Sequence, residues 1–251
     1  MCDSMWLMNK SPHGIQALMF DVFGTLVDWR SSVTASLQTF FEQHKGSLNV
    51  PQGTNWQEMA LDWRDHYQPA MEAVRSGARP FVILDVLHRE SLVKVLEKHG
   101  IRGLSDAQLD ELTLCWHRLN PWPEVPAAMR QLRQLKTLAA VSNGNTQLLN
   151  NLCHFADLAW HASLGAEPAK AYKPQPEAYL YSASLLTLQP GQCLFVAAHN
   201  DDLAAARALG FATAYVNRPT EYGPRQVRDT GPESDWDICV ESLDELAVKL
   251  P

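Results

Sequence analysis

The chain has 251 residues, of which 46% are hydrophobic, and it carries a formal net charge of −7. This length suffices for one large domain or a domain with a smaller partner, and the apolar content excludes wholesale disorder. The acidic balance, with no block of lysines or arginines, argues against a nucleic-acid-binding surface. No apolar run approaches the ~18 residues of a membrane-spanning helix, so no membrane partner is expected.

The first segment, residues 1–13, lacks the long apolar stretch of a signal peptide and is interpreted as a loose lead-in. The five cysteines form no Cys-x-x-Cys pair. Their odd number and scattered positions favour reduced, mainly structural thiols, and a cytoplasmic protein is therefore predicted.

A buried strand is predicted over residues 15–21, where an apolar run ends in an aspartate. The spacing of apolar residues over 28–117 then indicates helices, with no strand pattern among them. Helix-end signals support this interpretation: Gly100 is a C-terminal cap, and Ser105 with Gln108 matches a capping box.

Beyond a proline-rich junction at 120–126, short apolar strands alternate with helices. The strands are predicted at 137–143, 158–166, 192–198, 212–217 and 236–240, with helices at 124–135, 146–154, 175–187, 201–209 and 242–249. This alternation predicts an α/β fold with a mainly parallel sheet, which the strand at 15–21 joins. Residues 14–27 and 118–251 would form the core, and 28–117 an inserted all-helical cap.

Polar side chains follow the predicted strands where ligands bind in open α/β sheets, outside the carboxyl ends. They are Asp21, Ser142, Asn143, His199, Asn200, Asp201, Asp202, Asn217 and Arg218. Lys170 and Lys173 lie in a loop nearby. We expect the fold to gather these groups in one crevice beneath the cap.

Asp21 is the candidate nucleophile. A carboxylate at the end of a buried strand needs partners, expected to be turn amides near Gly24 and Thr25 together with a cation. So held, it is ionised at pH 7 and can attack an electrophilic carbon or phosphorus to form an ester. The alternative is an aspartate that only caps the turn.

Three blocks of sequence carry a family resemblance. They are FDVFGTLVD at 20–28, VSNGN at 141–145, and YKPQPEAY at 172–179 joined to FVAAHNDDLAAARALGF at 195–211. With them the chain resembles the haloacid dehalogenase superfamily, and within it the L-2-haloacid dehalogenases of type II. The resemblance extends over almost all of the chain from about residue 15. It implies a Rossmann-like core with an inserted helical cap.

The resemblance separates two reaction classes. The superfamily's phosphatases usually have a second aspartate two positions after the nucleophile, where this chain has Phe23. A halide needs no proton to leave, so Phe23 favours carbon–halogen chemistry. The phosphatases also bind magnesium through an acid that aligns with Ala198. We therefore expect no metal or other cofactor, with Asp201 as a substitute ligand left open.

Family positions also imply the residues that bind substrate. Arg64 of the cap resembles the arginine that binds the halide and the substrate carboxylate. Ser142 matches a serine that binds the carboxylate, and Asn143 an asparagine that binds the halide. Further predicted members of the binding site are Phe23, Thr25, Asn200, Tyr179 and Trp29, with Trp122 as another aromatic wall.

For catalysis, Lys173 matches the family lysine, which neutralises the carboxylates, although Lys170 competes for that role. Asp202 is assigned to activate water. Type II enzymes commonly have a serine and an asparagine where this chain has Ala197 and His199, and the AAHN pattern is found in a subgroup of which some members accept fluorinated acids. His199 is either a hydrogen-bond donor or a base.

The sequence thus predicts a hydrolytic dehalogenase that converts short 2-haloacids, with fluoroacetate as one candidate, to 2-hydroxyacids through an aspartyl ester. Its partners are the haloacid and water, and a homodimer is expected by analogy. The alternatives are a magnesium-dependent phosphatase on the same fold and a non-catalytic binding module. Phe23 and Ala198 speak against the phosphatase.

Overall fold

The computed structural model of the protein describes residues 14–250, so the predicted lead-in at 1–13 lies outside the described residues. Within that range, six strands form one sheet in which every neighbouring pair is parallel. The strands are β1 (Ala17–Phe20), β2 (Thr137–Ser142), β3 (Ala162–Gly165), β4 (Cys193–Ala197), β5 (Ala212–Val216) and β6 (Ile238–Val240). The predicted α/β fold with a parallel sheet is confirmed.

The strand order is β3-β2-β1-β4-β5-β6, which places β1 in the middle of the sheet. Phe20 is in register with Ala140 of β2 and with Val196 of β4. Because the chain first builds outward on one side of β1 and then on the other, a crevice opens between the carboxyl ends of β1 and β4. Asp21 follows Phe20 directly and therefore lies at that crevice.

All four residues of β1 are buried, as expected for a strand whose two faces are both covered. Leu18 and Phe20 belong to the hydrophobic cluster on one face, which continues into the helices before β2. Ala17 and Met19 belong to the cluster on the opposite face. This alternation explains why the sequence of β1 is apolar throughout.

The third strand is shorter than the prediction of 158–166. Asp157 and Ala159 have positive backbone φ angles of 50° and 55°, which an extended strand does not allow. Leu158 and Trp160 are nonetheless buried. The apolar pattern in this segment therefore reflects a buried loop, and pairing begins only at Ala162.

Eleven α-helices are found in the described range. They are α1 (Trp29–Gln43), α2 (Trp56–Asp65), α3 (Tyr67–Arg75), α4 (Leu84–Lys98), α5 (Asp106–Thr113), α6 (Val125–Leu135), α7 (Thr146–Ala156), α8 (Ala166–Ala169), α9 (Pro176–Leu185), α10 (Asn200–Ala208) and α11 (Leu243–Lys249). Short 3₁₀ helices cover Leu114–His117 and Pro190–Gln192. None of the helices in residues 14–250 combines the length and apolar character needed to cross a membrane.

The helices between β1 and β2 end as the sequence indicated. Ser105 and Gln108 form both hydrogen bonds of a capping box before α5. Gly100, just after α4, has a φ of +68°, which favours glycine. The stretch 28–117 contributes no strand to the sheet, and its exact limits as a cap stay a prediction.

Polar contacts join this helical block to the core on two sides. Asn145 Nδ2 donates to Asp85 Oδ2 at 2.9 Å, and Arg75 Nη1 donates to the Lys173 carbonyl at 2.9 Å. In addition, the ring of Trp116 in the helical block packs edge-on against Phe23 of the core, with centroids 6.0 Å apart. The block therefore covers the carboxyl end of β1.

Candidate active site

Asp21, the predicted nucleophile, is only 6% exposed and lines a cavity. Its Oδ2 accepts a hydrogen bond from Thr25 Oγ1 at 2.8 Å, and its Oδ1 accepts one from Lys173 Nζ at 2.8 Å. Burial alone would raise the pKa of Asp21, but Lys173 and His199 outweigh it and hold the pKa well below the usual range. Asp21 is therefore an ionised and oriented carboxylate.

The turn after β1 supplies a hydroxyl group instead of the expected backbone amides. The Gly24 amide donates to the Val27 carbonyl at 3.1 Å and so is engaged elsewhere. Thr25 is fully buried, and its Oγ1 accepts a hydrogen bond from the Ala198 amide at 2.9 Å. That bond directs the hydroxyl hydrogen at Asp21. Thr25 thus holds the nucleophile. It was predicted to belong to the binding site, but it is not among the residues that line the cavity.

Lys173 joins the two predicted catalytic carboxylates, because its Nζ donates to Oδ1 of Asp21 and to Oδ2 of Asp202. Its amide donates to Asn143 Oδ1 at 2.8 Å, and its carbonyl accepts from Arg75. Burial would lower the pKa of Lys173, but the two carboxylates raise it. The ammonium group is therefore charged and fixed in position.

Lys170, the competing lysine, lies outside the cavity lining. Its backbone is left-handed, with φ 54°, and its Nζ lies 5.3 Å from the centre of the Phe81 ring. The geometry therefore assigns the carboxylate contacts to Lys173.

Asp202 accepts hydrogen bonds from the Tyr179 hydroxyl on Oδ1 and from Lys173 on Oδ2. Burial raises the pKa of Asp202 above its usual range, with the charge of Asp21 adding to the effect and that of Lys173 opposing it. A buried carboxylate with a raised pKa is suited to take a proton from water.

His199 lies between two carboxylates. Its Nδ1 is 3.2 Å from Asp21 Oδ2, and its Nε2 is 2.9 Å from Glu221 Oε2. Since an ionised carboxylate only accepts hydrogen bonds, both ring nitrogens carry protons here. Burial would lower the pKa of His199, but the charge of Glu221 and the contacts with both carboxylates raise it well above its ordinary value. Of the two roles predicted for His199, a protonated ring favours the hydrogen-bond donor.

Glu221 is a residue of this site that the sequence analysis missed. It lies in the loop between β5 and β6 and is 1% exposed. Trp29 Nε1 donates to its Oε1 at 2.9 Å. Burial would raise the pKa of Glu221, but the charge of His199 lowers it. No motif or periodicity marks this residue, so the sequence carries no signal for it.

These groups border a cavity of about 760 Å³. Its lining includes Asp21, Phe23, Arg64, Tyr67, Asn143, Lys173, Tyr179, His199, Asp202 and Tyr222. Phe23 is held on the cap side by edge-on contacts with Tyr67 and Trp116, at centroid distances of 6.5 and 6.0 Å. The Phe23 ring, two residues after Asp21 in the chain, therefore forms an apolar part of the cavity wall.

Arg64 brings an unused cationic donor to the cavity. No described residue accepts a hydrogen bond from its buried Nη1. Its guanidinium carbon lies 4.0 Å from the centre of the Tyr67 ring and 5.4 Å from that of Trp29. Burial would lower the pKa of Arg64, but Tyr222, Tyr67 and Glu221 raise it. A charged guanidinium with one unpaired donor suits an anionic ligand.

Asn143 and Ser142, which end β2 and begin the following turn, have different surroundings. The Asn143 Oδ1 is engaged by Lys173, which leaves the side-chain NH₂ group as the donor for a ligand. Ser142 is fully buried, does not line the cavity, and its Oγ accepts from the Gly144 amide at 3.2 Å. The Ser142 hydroxyl therefore supports the turn, and direct binding of substrate by Ser142 stays a prediction.

Three other predicted lining residues point elsewhere, because their polar groups are engaged in the protein. Asn200 Nδ2 donates to Asp229 Oδ1 at 3.0 Å, and its Oδ1 accepts from a tryptophan indole and a backbone amide. Trp29 donates to Glu221, and Trp122 donates to a backbone carbonyl of the turn after β1. In their place, Tyr67 and Tyr222 complete the aromatic lining.

Comparison with known proteins decides the family. A sequence model described as haloacid dehalogenase-like hydrolase matches residues 15–210. The chain belongs to the haloacid dehalogenase-like hydrolases. This hydrolase is similar to a solved defluorinating L-2-haloacid dehalogenase, with 40% identity, a TM-score of 0.90, and coverage of 94% of this chain and 95% of the other.

A second solved L-2-haloacid dehalogenase is 43% identical to this haloacid dehalogenase-like hydrolase, with a TM-score of 0.88 and coverage of 95% and 100% of the two chains. A curated relative, (S)-2-haloacid dehalogenase 1 of Pseudomonas sp. strain CBS-3, is 27% identical over 214 residues. That alignment covers 83% of this chain and 88% of the relative.

The site of this haloacid dehalogenase-like hydrolase does not fit a magnesium ion. Ala198 stands where a second carboxylate would be needed, and the Lys173 ammonium lies between Asp21 and Asp202. Asp201, the possible substitute ligand, uses its Oδ1 to accept a hydrogen bond from the Asp202 amide at 2.8 Å. Among residues 14–250, no group of three or more His, Cys, Asp or Glu is placed to hold a metal.

Proposed function

We propose that this hydrolase is a dehalogenase that converts short 2-haloacids to 2-hydroxyacids through an ester on Asp21, without a metal. The observation that carries the proposal is the pairing of ionised Asp21 with Phe23, an apolar ring where a phosphatase would need an acid. Halide leaves as a stable anion, so a nucleophile without a neighbouring acid suits a carbon–halogen bond. The similar L-2-haloacid dehalogenases, one of them defluorinating, support this choice.

The substrate is an anion that enters a protein of net charge −7, so local cations must bind it. Arg64 and Asn143 both line the cavity, Arg64 with an unpaired Nη1 and Asn143 with a side-chain NH₂ group. An ion pair at ~4 Å is worth about 4 kcal/mol at an effective dielectric near 20, so one or two such groups suffice. In this proposal they hold the carboxylate and receive the halide.

In the first step, an oxygen of Asp21 attacks C2 of the acid in line, on the face opposite the halogen. A carbon–oxygen bond forms, the carbon–halogen bond breaks, and the centre inverts. Arg64 and Asn143 stabilise the departing halide as its charge develops, which favours the transition state over the ground state. The Phe23 ring keeps water from the reacting carbon.

In the second step, water attacks the carboxyl carbon of the Asp21 ester. Asp202 takes the proton of the water, a role supported by its raised pKa and by its hydrogen bond from Tyr179. Lys173 compensates the negative charge of Asp202 and, as the ester breaks, that of the leaving alkoxide. The 2-hydroxyacid leaves and Asp21 is restored.

Halide release from chloroacetate, (S)-2-chloropropionate and fluoroacetate tests the proposal, beside hydrolysis of a phosphate ester, each with and without EDTA. We expect halide release that EDTA does not change and no phosphatase activity. The Asp21→Asn variant should lose halide release, whereas Asp201→Asn should keep it. Phosphate release that EDTA abolishes would instead favour the magnesium-dependent phosphatase.

Two further proposals concern the context of the protein. A cytoplasmic location is supported by its free thiols: Cys115, Cys153, Cys193 and Cys239 form no disulfide in the described range. The homodimer is proposed by analogy and is tested by light scattering on the purified protein.

A further inference from the structure

The two oxygens of Asp21 are unequally engaged. Oδ2 has two partners: Thr25 Oγ1, which donates a hydrogen bond at 2.8 Å, and His199 Nδ1, which lies in ion-pair contact at 3.2 Å. Oδ1 has one, Lys173 Nζ at 2.8 Å. A carboxylate oxygen offers two lone pairs, so Oδ1 keeps one for attack and Oδ2 does not. The ester of the proposed function then forms through Oδ1, and Oδ2 becomes its carbonyl oxygen.

We propose that His199, held between Asp21 and Glu221, forms with Thr25 the oxyanion hole for hydrolysis of the Asp21 ester, and that Glu221 is the positioning residue that keeps His199 in this role. The inference rests on the proposed function and adds to it the group that stabilises the second transition state. Because His199 contacts the reacting carboxyl group, it is a catalytic residue, while Glu221 acts through it.

The geometry supports both donors. The Thr25 hydroxyl accepts from the Ala198 amide, so its hydrogen faces Oδ2. The His199 ring is fixed at its other end by Glu221 Oε2 at 2.9 Å, which keeps its Nδ1 within 3.2 Å of Asp21 Oδ2. Preorganised donors of this kind need little reorganisation when charge develops, which makes them effective in a buried site.

Glu221 is itself held from two directions. Trp29 donates to its Oε1 at 2.9 Å, and the Gly24 backbone lies against its carboxylate, which a Cβ at position 24 would displace. The protonation of His199 also responds to groups around it. The carboxylates of Asp21 and Glu221 favour its charged form, and the hydroxyls of Tyr215 and Tyr222 lie within electrostatic range.

The water oxygen bonds to the Asp21 carboxyl carbon, its proton passes to Asp202, and the electron pair of the carbonyl moves to Oδ2. Thr25 and His199 stabilise that oxyanion. On collapse, the bond from the carboxyl carbon to Oδ1 breaks, and the alkoxide leaves beside Lys173 and takes up the proton from Asp202. The second proton of the water stays on the Asp21 carboxyl group and is then released to solvent, which restores the carboxylate. Lys173 and His199 therefore serve different oxygens of Asp21.

Rapid-quench kinetics with chloroacetate and intact-protein mass spectrometry test the inference. We expect His199→Gln to release the first equivalent of chloride at nearly the wild-type rate and then to accumulate carboxymethylated enzyme, with ester hydrolysis slowed about 100-fold. The surface variant His154→Gln is the matched control and should accumulate no adduct. Slowed chloride release without adduct, or unchanged kinetics of both steps, overturns the inference.

Glu221→Gln is the second variant and remains informative if His199→Gln does not fold, because glutamine preserves shape and can still accept from Trp29. We expect the alkaline limb of the ester-hydrolysis rate to move to lower pH by at least about one unit, since the carboxylate that favours protonated His199 is removed. Glu111→Gln is its exposed control. An unmoved limb contradicts the role of Glu221, whereas absence of halide release by the wild type contradicts the proposed function itself.

Discussion

The Gly24 backbone lies directly against the carboxylate of Glu221. A Cβ built on Gly24 would lie 2.6 Å from Glu221 Oε2 and closer still to Oε1, and the φ of Gly24 is +87°. The residue that begins the turn after the nucleophile and the residue that holds His199 are thus in contact, although 197 positions separate them by number (221 − 24). The absence of a side chain at one allows the burial of a charge at the other.

A first prediction follows for Gly24→Ala, which should destabilise the protein more than Gly46→Ala. Gly46 has a similar φ of +93° but open space around its Cβ position, so it reports backbone strain alone, about 1–2 kcal/mol. Chemical unfolding measures the free energy of unfolding of both variants. Adding Glu221→Ala should recover part of the stability lost in Gly24→Ala, and equal losses in the two alanine variants would refute the contact.

A second prediction concerns Arg64→Lys, which keeps the positive charge but loses the planar fork. We expect kcat/KM for a 2-haloacid to fall about 10- to 100-fold, in line with about 1.5–3 kcal/mol for a charge-assisted hydrogen bond. Steady-state kinetics provide the measurement. Arg89→Lys, on a surface helix paired with Asp106 and Asp110, should change kcat/KM little. Similar effects of the two substitutions would argue against an anion site at Arg64.

A third prediction concerns the acid limb of the pH profile. Asp202 must be deprotonated to take a proton from water, and its pKa is raised, so activity should fall as the pH drops through that raised value. The hydrogen bond from Tyr179 lowers the pKa of Asp202. Tyr179→Phe should therefore move the acid limb to higher pH, while Tyr181→Phe, on the exposed side of α9, should leave it in place. A shift in the opposite direction would exclude Asp202 as the base.

A fourth prediction concerns Lys173→Met, which leaves Asp21 and Asp202 buried without their shared cation. Removing one partner of a buried ion pair costs about 3–5 kcal/mol, so the free energy of unfolding should fall by that amount near pH 7. The loss should shrink at low pH, because protonation of the carboxylates removes the uncompensated charge. Activity should be abolished. Urea unfolding at both pH values, with Lys170→Met as the control, measures this difference.

Much of the fold was predictable because its signals are local. The strand ending at Asp21, the alternation after residue 118 and the capping box at Ser105 each depend on neighbouring side chains. The third strand was predicted too long, because burial of Leu158 and Trp160 produces the same apolar pattern in a loop as in a strand.

The residues of the candidate site likewise fall into those that the sequence indicates and those that only the structure reveals. The sequence by itself placed Asp21 and Asp202 at strand ends, and the family resemblance of its motifs predicted the roles of Lys173 and Phe23, all without coordinates. Only the tertiary structure decided that His199 is a charged donor, since that depends on Glu221, which comes from a loop with no regular spacing. A pKa depends on distances between charges through space, and such distances are set by packing and not by order along the chain.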